Sequence, residues 1–258
     1  AAFMTAAKLG NSVGVSESTV VRFAIELGFS GYPSLQKSLQ ELIKNKLTTV
    51  QRLDLSNDYI CNGYTLKGVL KSDMENIRAT MEKINYSTFE DVVNNIFEAK
   101  RIYIIGLRSS MALAEFLGFY LNVILQNVKT VGYGISDIFE EMINIGEGDL
   151  VIGIGFPRYA NRTIDVLSFA QDRGATIVAL TDSIISPLAQ RADYALIVQS
   201  NMASFVDSLV APLSVINALI IAVGLRQKES VSTTFNSLEE IWKEYNVYSY
   251  NHNNDDEF

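Results

Sequence analysis

The sequence predicts a fold in two parts: an N-terminal all-α segment, then an α/β body with a doubly wound, five-stranded parallel sheet. Three observations carry this expectation. From Arg101 onward, short apolar runs alternate with helical patterns, as in chains of β–α units. Before Arg101 the apolar residues recur only at helical spacing. Near the start, two very short helices are joined across a glycine, which gives a helix-turn-helix.

At the front, Thr5 is placed to cap a helix through Ala6, Ala7, Leu9 and Val13 that stops at Gly14. Ser16 caps a second helix with Val20, Val21, Phe23, Ala24 and Leu27 on its apolar side and Gly28 at its end. In a helix-turn-helix the second helix lies in the DNA major groove with its first residues facing the bases. Those residues are Ser16, Glu17, Ser18 and Thr19, with Arg22 one turn later. Hydroxyls reach bases or phosphates, and arginine reads guanine or clamps a phosphate. Ser16, Ser18, Thr19, Arg22 and Lys8 are thus the candidate DNA contacts, operator DNA the expected partner, and an ordinary helical hairpin the plain alternative. A third helix is expected over residues 33–46, with Leu35, Leu39, Leu42 and Ile43 on one face.

Charge follows the same division. Residues 1–52 hold six basic and three acidic side chains, a net +3, within a chain of net charge −8, so the remainder carries −11. A basic head on an acidic body suggests that only the head meets a polyanion. At 258 residues and 48% apolar composition, one large domain or two small ones can bury a core. No apolar run approaches the roughly 18 residues of a membrane span, so the chain reads as soluble with no membrane partner. The single cysteine, Cys61, excludes an internal disulfide and fits a reducing cytoplasm. His252 is the only histidine and sits in a polar tail, which disfavours His-based acid/base chemistry; no metal site and no cofactor are expected. The chain lacks an initiator methionine and opens in mid-pattern, so it reads as a fragment.

Turn signals at Asn57-Asp58 and Asn62-Gly63 place a linker over residues 49–65. A long helix over 66–84 follows, with Val69, Leu70, Met74, Ile77 and Met81 as a stripe for core or dimer packing, then a helix over 88–99. Strands are expected at 102–105, 128–133, 150–154, 175–180 and 195–198. Helices are expected near 110–126, 137–144, 162–173, 186–191 and 205–225. A last helix over 238–245 carries Trp242, expected to dock on the body, and residues 246–258 read as a disordered tail.

In such sheets ligands bind beyond the carboxyl ends of the strands. The loops there offer Arg108, Ser109 and Ser110 after the first strand, Gly155 to Thr163 with Arg158, Asn161 and Arg162 after the third, and Thr181, Asp182, Ser183 and Ser186 after the fourth. Three helix starts rich in hydroxyls and N–H groups, with arginine nearby, suit a phosphorylated polyol. Taken singly, each is an ordinary capped helix.

Residues 4–39, MTAAKLGNSVGVSESTVVRFAIELGFSGYPSLQKSL, closely resemble the helix-turn-helix of the RpiR family of bacterial transcriptional regulators. That family carries one more helix ahead of the stretch that begins here at Ala1. Residues 66–245 resemble the sugar isomerase (SIS) domain, a flavodoxin-like layout that the family carries behind its helix-turn-helix. The likeness is specific in GLRSS, in FPRY, in TDSIISPLAQRADY and in SFVDSLVAPLSVINALI. It implies that Ser109 and Ser110 hold the sugar or phosphate, and that Asp182 and Ser183 match the third loop. It also implies that the loop from Phe156 to Thr163 stands where most SIS domains have a hydroxyl-rich phosphate loop. Thr163 is kept, but Pro157, Arg158 and Tyr159 stand where serines are usual.

The expected architecture is a helix-turn-helix over 1–48, a linker over 49–65, a SIS domain over 66–245 and a polar tail over 246–258. The expected function is a DNA-binding regulator, not an enzyme, acting as a homodimer or homotetramer in the cytoplasm. Its effector is a phosphorylated sugar held by Ser109, Ser110, Arg158, Asn161, Thr163, Asp182 and Ser183. The alternatives are an aldose–ketose phosphate isomerase, with Glu115 or Asp207 as its carboxylate, and an oligomeric scaffold with an empty pocket.

Overall fold

A computed structural model describes residues 1–2, 4–44, 50, 52, 65–132, 134, 137–202 and 205–249. The chain forms two compact units, Ala1–Ser72 with Met202–Asp207 and Asp73–Asn201 with Ser208–Phe258.

The first unit opens with α1 (Ala6–Val13), α2 (Glu17–Glu26) and α3 (Tyr32–Lys44). Thr5 caps α1 by accepting from the Lys8 N–H, and Gly14 ends it in the left-handed region at φ 74°. A Cβ at Gly10 would lie 2.7 Å from the Val15 carbonyl oxygen, so only glycine lets the turn fold back so closely on α1. Ala6, Val20, Ala24, Tyr32 and Leu35 form the core. The Tyr32 hydroxyl donates to the carbonyls of Ala1 and Met4 at 2.8 and 2.9 Å, fixing the N-terminus on α3. Two residues of the expected α2 stripe are not buried: Phe23 is 58% and Leu27 52% exposed. They flank the Val20–Ala24 stripe, and the short neighbouring helices cover only its centre. The side chains of Leu42 and Ile43 and residues 45 and 46 lie outside the described residues.

Helix α4 (Thr65–Lys83) contains the division between the units. Its expected apolar stripe is exposed: Val69 39%, Leu70 54%, Met74 70%, Ile77 40% and Met81 61%. The buried residues of α4 are polar, Asn76 and Thr80. Asn76 donates from Nδ2 to the Asn201 carbonyl at 2.8 Å and accepts from the Asn201 N–H at 3.1 Å. Thr80 Oγ1 accepts from the Gln199 N–H at 2.9 Å.

The second unit continues with α5 (Tyr86–Glu98) and a sheet of β1 (Ile102–Gly106), β2 (Val128–Val131), β3 (Leu150–Ile154), β4 (Thr176–Thr181) and β5 (Tyr194–Ile197). All pairs are parallel, and the order is β2-β1-β3-β4-β5. Between the strands run α6 (Met111–Leu125), α7 (Ile138–Glu141) and α8 (Asn161–Gln171); α9 (Val210–Arg226) and α10 (Lys228–Glu244) follow the sheet. Every residue of β1 and β3 is buried, which is why these strands read as unbroken apolar runs. Ile102 and Ile104 face a cluster with Ile96 of α5, Leu117 of α6 and Ile216 of α9. Tyr103 and Ile105 face the opposite cluster with Ile138 of α7 and Val166 and Leu167 of α8. Helices therefore cover both faces, as a doubly wound sheet requires.

Three expected elements differ. The helix expected over 186–191 is only a 3₁₀ turn, Ala189–Arg191, because the Ser186 hydroxyl accepts from the Ala189 N–H at 3.1 Å and closes a tighter turn. The helix expected from 205 begins at Val210, with Pro212 in its first turn, where no N–H is needed. The last helix is far longer than 238–245. Its start is rich in Ser and Thr, yet Ser232, Thr233 and Ser237 donate to carbonyls one turn back, so these hydroxyls are satisfied inside the helix and do not cap or end it. Trp242 packs edge-on against Tyr248, 5.2 Å between centroids, within its own C-terminal segment. Tyr133 and the tail from Tyr250 lie outside the described residues.

Two glycines separate close approach from mere permissiveness. A Cβ at Gly106, the last residue of β1, would sit 2.5 Å from the Ser110 carbonyl oxygen, whereas one at Gly68 in α4 meets nothing within 4 Å. Gly106→Ala is expected to lower the urea-unfolding free energy by about 1–3 kcal/mol. Gly68→Ala should be neutral or stabilise by about 0.5–1 kcal/mol. Equal midpoints for the two variants would contradict this.

Candidate functional site

Strands β1, β3 and β4 end side by side: Gly106 is in register with Ile154, and Ile154 with Leu180. With strands roughly 5 Å apart, the three loops leave one edge, at the switch in strand order between β1 and β3.

After β1 the chain turns sharply. Arg108 takes a left-handed φ of 58°, and Arg108–Ser110 form a 3₁₀ turn that feeds α6. Ser109 is exposed and Ser110 buried, and Ser110 makes no side-chain cap on α6. After β3 the chain runs Phe156-Pro157-Arg158-Tyr159 before α8. Arg158 also has a left-handed φ, 72°, and is exposed. A non-glycine residue in this conformation costs of order 1 kcal/mol and is held there by its surroundings. Two arginines on neighbouring loops share this strain.

Helix α8 starts at Asn161 with Ala160 as its N-cap and no side-chain cap bond. Its first N–H groups and the positive end of its dipole therefore meet no capping oxygen from the N-cap residue, an arrangement suited to an anion. Asn161 is exposed and Thr163 is 1% exposed. Arg162 points elsewhere: it pairs with Asp137 at 3.0 Å and lies 5.4 Å over the Phe139 ring, tying α8 to the cap of α7.

The loop after β4 meets the loop after β3 directly. The Tyr159 hydroxyl donates to Asp182 Oδ1 at 2.6 Å, and Thr181 Oγ1 lies 3.3 Å from the same oxygen. Thr181 Oγ1 is in turn 3.1 Å from Ser186 Oγ. Ser183 Oγ accepts from the Ile185 N–H at 3.3 Å, so that hydroxyl shapes its own turn. Burial raises the Asp182 carboxyl above the ordinary carboxylate range, against the opposing pull of its hydrogen bonds from Tyr159, the backbone and Thr181. Burial and the adjacent carboxylate push the Tyr159 phenol upward, so it remains a donor throughout the working pH range.

The structure thus brings Tyr159 and Asp182 together, occupies Arg162 with Asp137, and uses Ser186 to build a turn. Tyr159 was not among the sequence candidates; the signal for it was an aromatic with a polar tip in a loop otherwise short of hydroxyls. Among the described residues no cluster of three His, Cys, Asp or Glu forms a metal site. Glu115 is exposed on α6, and Asp207 pairs with Arg52 at 3.4 Å in the first unit.

On the head, Ser16 Oγ accepts from the Thr19 N–H and lies 3.0 Å from Ser18 Oγ and 2.9 Å from Thr19 Oγ1. Ser16, Ser18 and Thr19 form one hydroxyl cluster at the start of α2. Arg22 and Lys8 are both exposed.

Fold and site together define a helix-turn-helix unit on one chain with a SIS-type parallel sheet. The helix-turn-helix domain of the rpiR family matches residues 1–46 and the SIS domain matches residues 95–222, and the chain belongs to the RpiR family. An HTH-type transcriptional regulator of Haemophilus influenzae is 28% identical over 195 residues, 74% of this chain; the chain spans 66% of that relative's length, just under two thirds. The sugar isomerase domain of an RpiR transcription factor from Sphaerobacter thermophilus superposes with a TM-score of 0.66 at 28% identity, over 69% of this chain and 99% of that one. NanR of Vibrio vulnificus, in complex with ManNAc-6P, superposes over 95% of this chain and 87% of its own with a TM-score of 0.62 at 18% identity, which speaks to the fold.

The raised Asp182 carboxyl makes a stability prediction. A group whose folded-state pKa lies above its unfolded value stabilises the fold when protonated, and that contribution is lost as pH rises through the folded value. Once ionised, Asp182 therefore weakens the fold. Asp182→Asn should raise the melting temperature by a few degrees at pH 7. The gain should shrink as pH falls towards the ordinary carboxylate range, about 4. A gain independent of pH in paired calorimetric scans would rule out this cause.

Proposed function

We propose that this chain is a transcriptional regulator that binds operator DNA through a head over residues 1–48 and senses a phosphorylated sugar in a SIS body over 66–245. Residues 49–65 link the two, and 246–258 form the tail. The observation that carries the reading is the start of α8: its N-cap residue supplies no capping side chain, and it opens at the switch point between the left-handed Arg158 and the Tyr159–Asp182 pair. Ser109, Ser110, Arg158, Asn161 and Thr163 serve the anion, and Asp182 and Ser183 the sugar. NanR, of the same fold, holds a sugar phosphate, which suits this edge. The effector alters DNA affinity by binding two arrangements of the heads unequally. The exposed stripe of α4 supports a homodimer or homotetramer, and the single cysteine a cytoplasmic location.

Regulation is favoured over isomerisation by the helix-turn-helix head, and neither carboxylate named for isomerisation, Glu115 or Asp207, stands in the three loops. Proton transfer between adjacent carbons needs a base beside the substrate and an acid for ring opening. Glu115 is exposed on a helix flank and Asp207 is paired with Arg52, while His252 lies outside the described residues.

A thermal-shift panel of sugar phosphates beside their unphosphorylated sugars tests the site. Ligand at about 100 times its Kd stabilises the native state by about 2.7 kcal/mol, or roughly 2–4 °C per kcal/mol for a body of this size. One phosphorylated sugar should shift the melting point while its parent sugar does not; a flat panel, or turnover of the shifting compound, overturns the sensor reading.

For the head, Arg22→Ala should weaken operator binding at fixed salt. The exposed position of Arg22, one turn past the hydroxyl cluster, motivates this. Loss of a base contact would cost about 1–3 kcal/mol for the matched operator alone, whereas loss of a phosphate contact would weaken all sequences similarly and lower the salt slope by about one. Unchanged anisotropy titrations would remove Arg22 from the interface.

A further inference from the structure

We infer that Tyr159 is a positioning residue that holds the Asp182 carboxylate to read ligand hydroxyls, so that the site selects a hydroxyl-rich carbon skeleton and leaves the phosphate to the other loops. The inference rests on the sugar-phosphate reading of the three loops and names how that site tells one phosphorylated ligand from another.

Asp182 Oδ1 is fully engaged by protein: the Tyr159 hydroxyl donates to it at 2.6 Å and Thr181 Oγ1 lies at 3.3 Å. The hydrogen bonds from Tyr159 and Thr181 both land on Oδ1, so Oδ2 is the oxygen that these two side chains do not engage. An ionised carboxylate only accepts, so Oδ2 calls for a donor, and a ligand hydroxyl or amide N–H is the donor that fits. A phosphate is excluded from that spot by like charge. The anion is drawn instead towards the start of α8, where Ala160 provides no side-chain cap.

Tyr159 sets this division in two ways. Its hydroxyl, donating to Oδ1, fixes the carboxylate rotation and leaves Oδ2 to the ligand. Its backbone follows the left-handed Arg158, so the course of the loop after β3 delivers the hydroxyl to Asp182 at the end of β4. A serine at this position is too short to span the gap. The FPRY sequence thus places a residue that orients a polyol reader directly ahead of the anion-facing start of α8.

The test compares inorganic phosphate with glycerol 3-phosphate, glucose 6-phosphate, fructose 6-phosphate and N-acetylmannosamine 6-phosphate by calorimetry on the whole chain, with phosphate as competitor. At least one hydroxyl-bearing compound should bind tenfold or more tightly than phosphate in the wild type. Tyr159→Phe should cut that preference roughly tenfold, the scale of a lost hydrogen bond to a charged group, while phosphate affinity stays unchanged and shows that the fold is intact. Asp182→Asn should also cut the preference but bind phosphate as well as or better than wild type, since a negative charge is gone. The double variant should lose no more than the worse single one. If no compound exceeds phosphate, or if both variants weaken phosphate and polyol phosphates equally, Tyr159 is structural and the inference falls while the anion site stands. If phosphate and all four compounds fail to bind, the sugar-phosphate reading falls with it.

Discussion

The pairing of β1 with β3 is the constraint on which the body depends. The two strands are not consecutive, so the chain must leave β1, cross through α6 to β2 on one side, and return through α7 to β3 on the other. At their entry ends the pair is clamped by Arg101, whose Nε and Nη2 donate to the two oxygens of the 2%-exposed Asp149 at 3.0 and 2.7 Å. At their exit ends Gly106 admits the Ser110 carbonyl at a distance no side chain tolerates. The clamp fixes register, and the glycine lets the first loop fold tightly over the sheet edge. Because successive connections depart to opposite faces there, a crevice opens without any residue having to be removed from the core.

Two left-handed non-glycine residues and a half-buried carboxylate lie at that crevice. Arg108 and Arg158 adopt backbone conformations that L-residues seldom hold, and the half-buried Asp182 accepts from the Tyr159 phenol. Each is a local loss of stability that a purely structural loop has no reason to retain. The two cations and the carboxylate also differ in what they attract. An edge with a cationic side and an acceptor side suits a molecule with an anionic end and a neutral, hydroxylated one.

Much of this was legible in the residues. Strands β1, β3 and β4 read correctly because buried parallel strands are unbroken apolar runs, and α1 and α2 because Thr5, Gly14 and Ser16 cap as those residue types should. The long α10 was illegible because hydroxyls that usually break helices here bond back onto their own turn. Ser186 read as a helix start because the sequence does not say whether its hydroxyl caps an α-helix or a 3₁₀ turn. The stripe on α4 had the right period but the wrong destination: periodicity reports that a face is apolar, not what covers it. The Tyr159–Asp182 contact joins residues 23 positions apart across two loops, and spacing carries no trace of such a bond.

The seal on β5 reaches beyond the single chain. Past that strand the backbone of Gln199 and Asn201 is bonded not by another strand but by Thr80 and Asn76, which imitate one. At the opposite margin, β2 presents Lys129, paired with Glu141 at 3.2 Å, a charge that any incoming strand would have to bury. Both margins of the sheet thus carry side chains that disfavour pairing with a further strand. A strand from another copy arriving at either margin would meet polar side chains instead of a bare ladder, a guard against open-ended strand polymers.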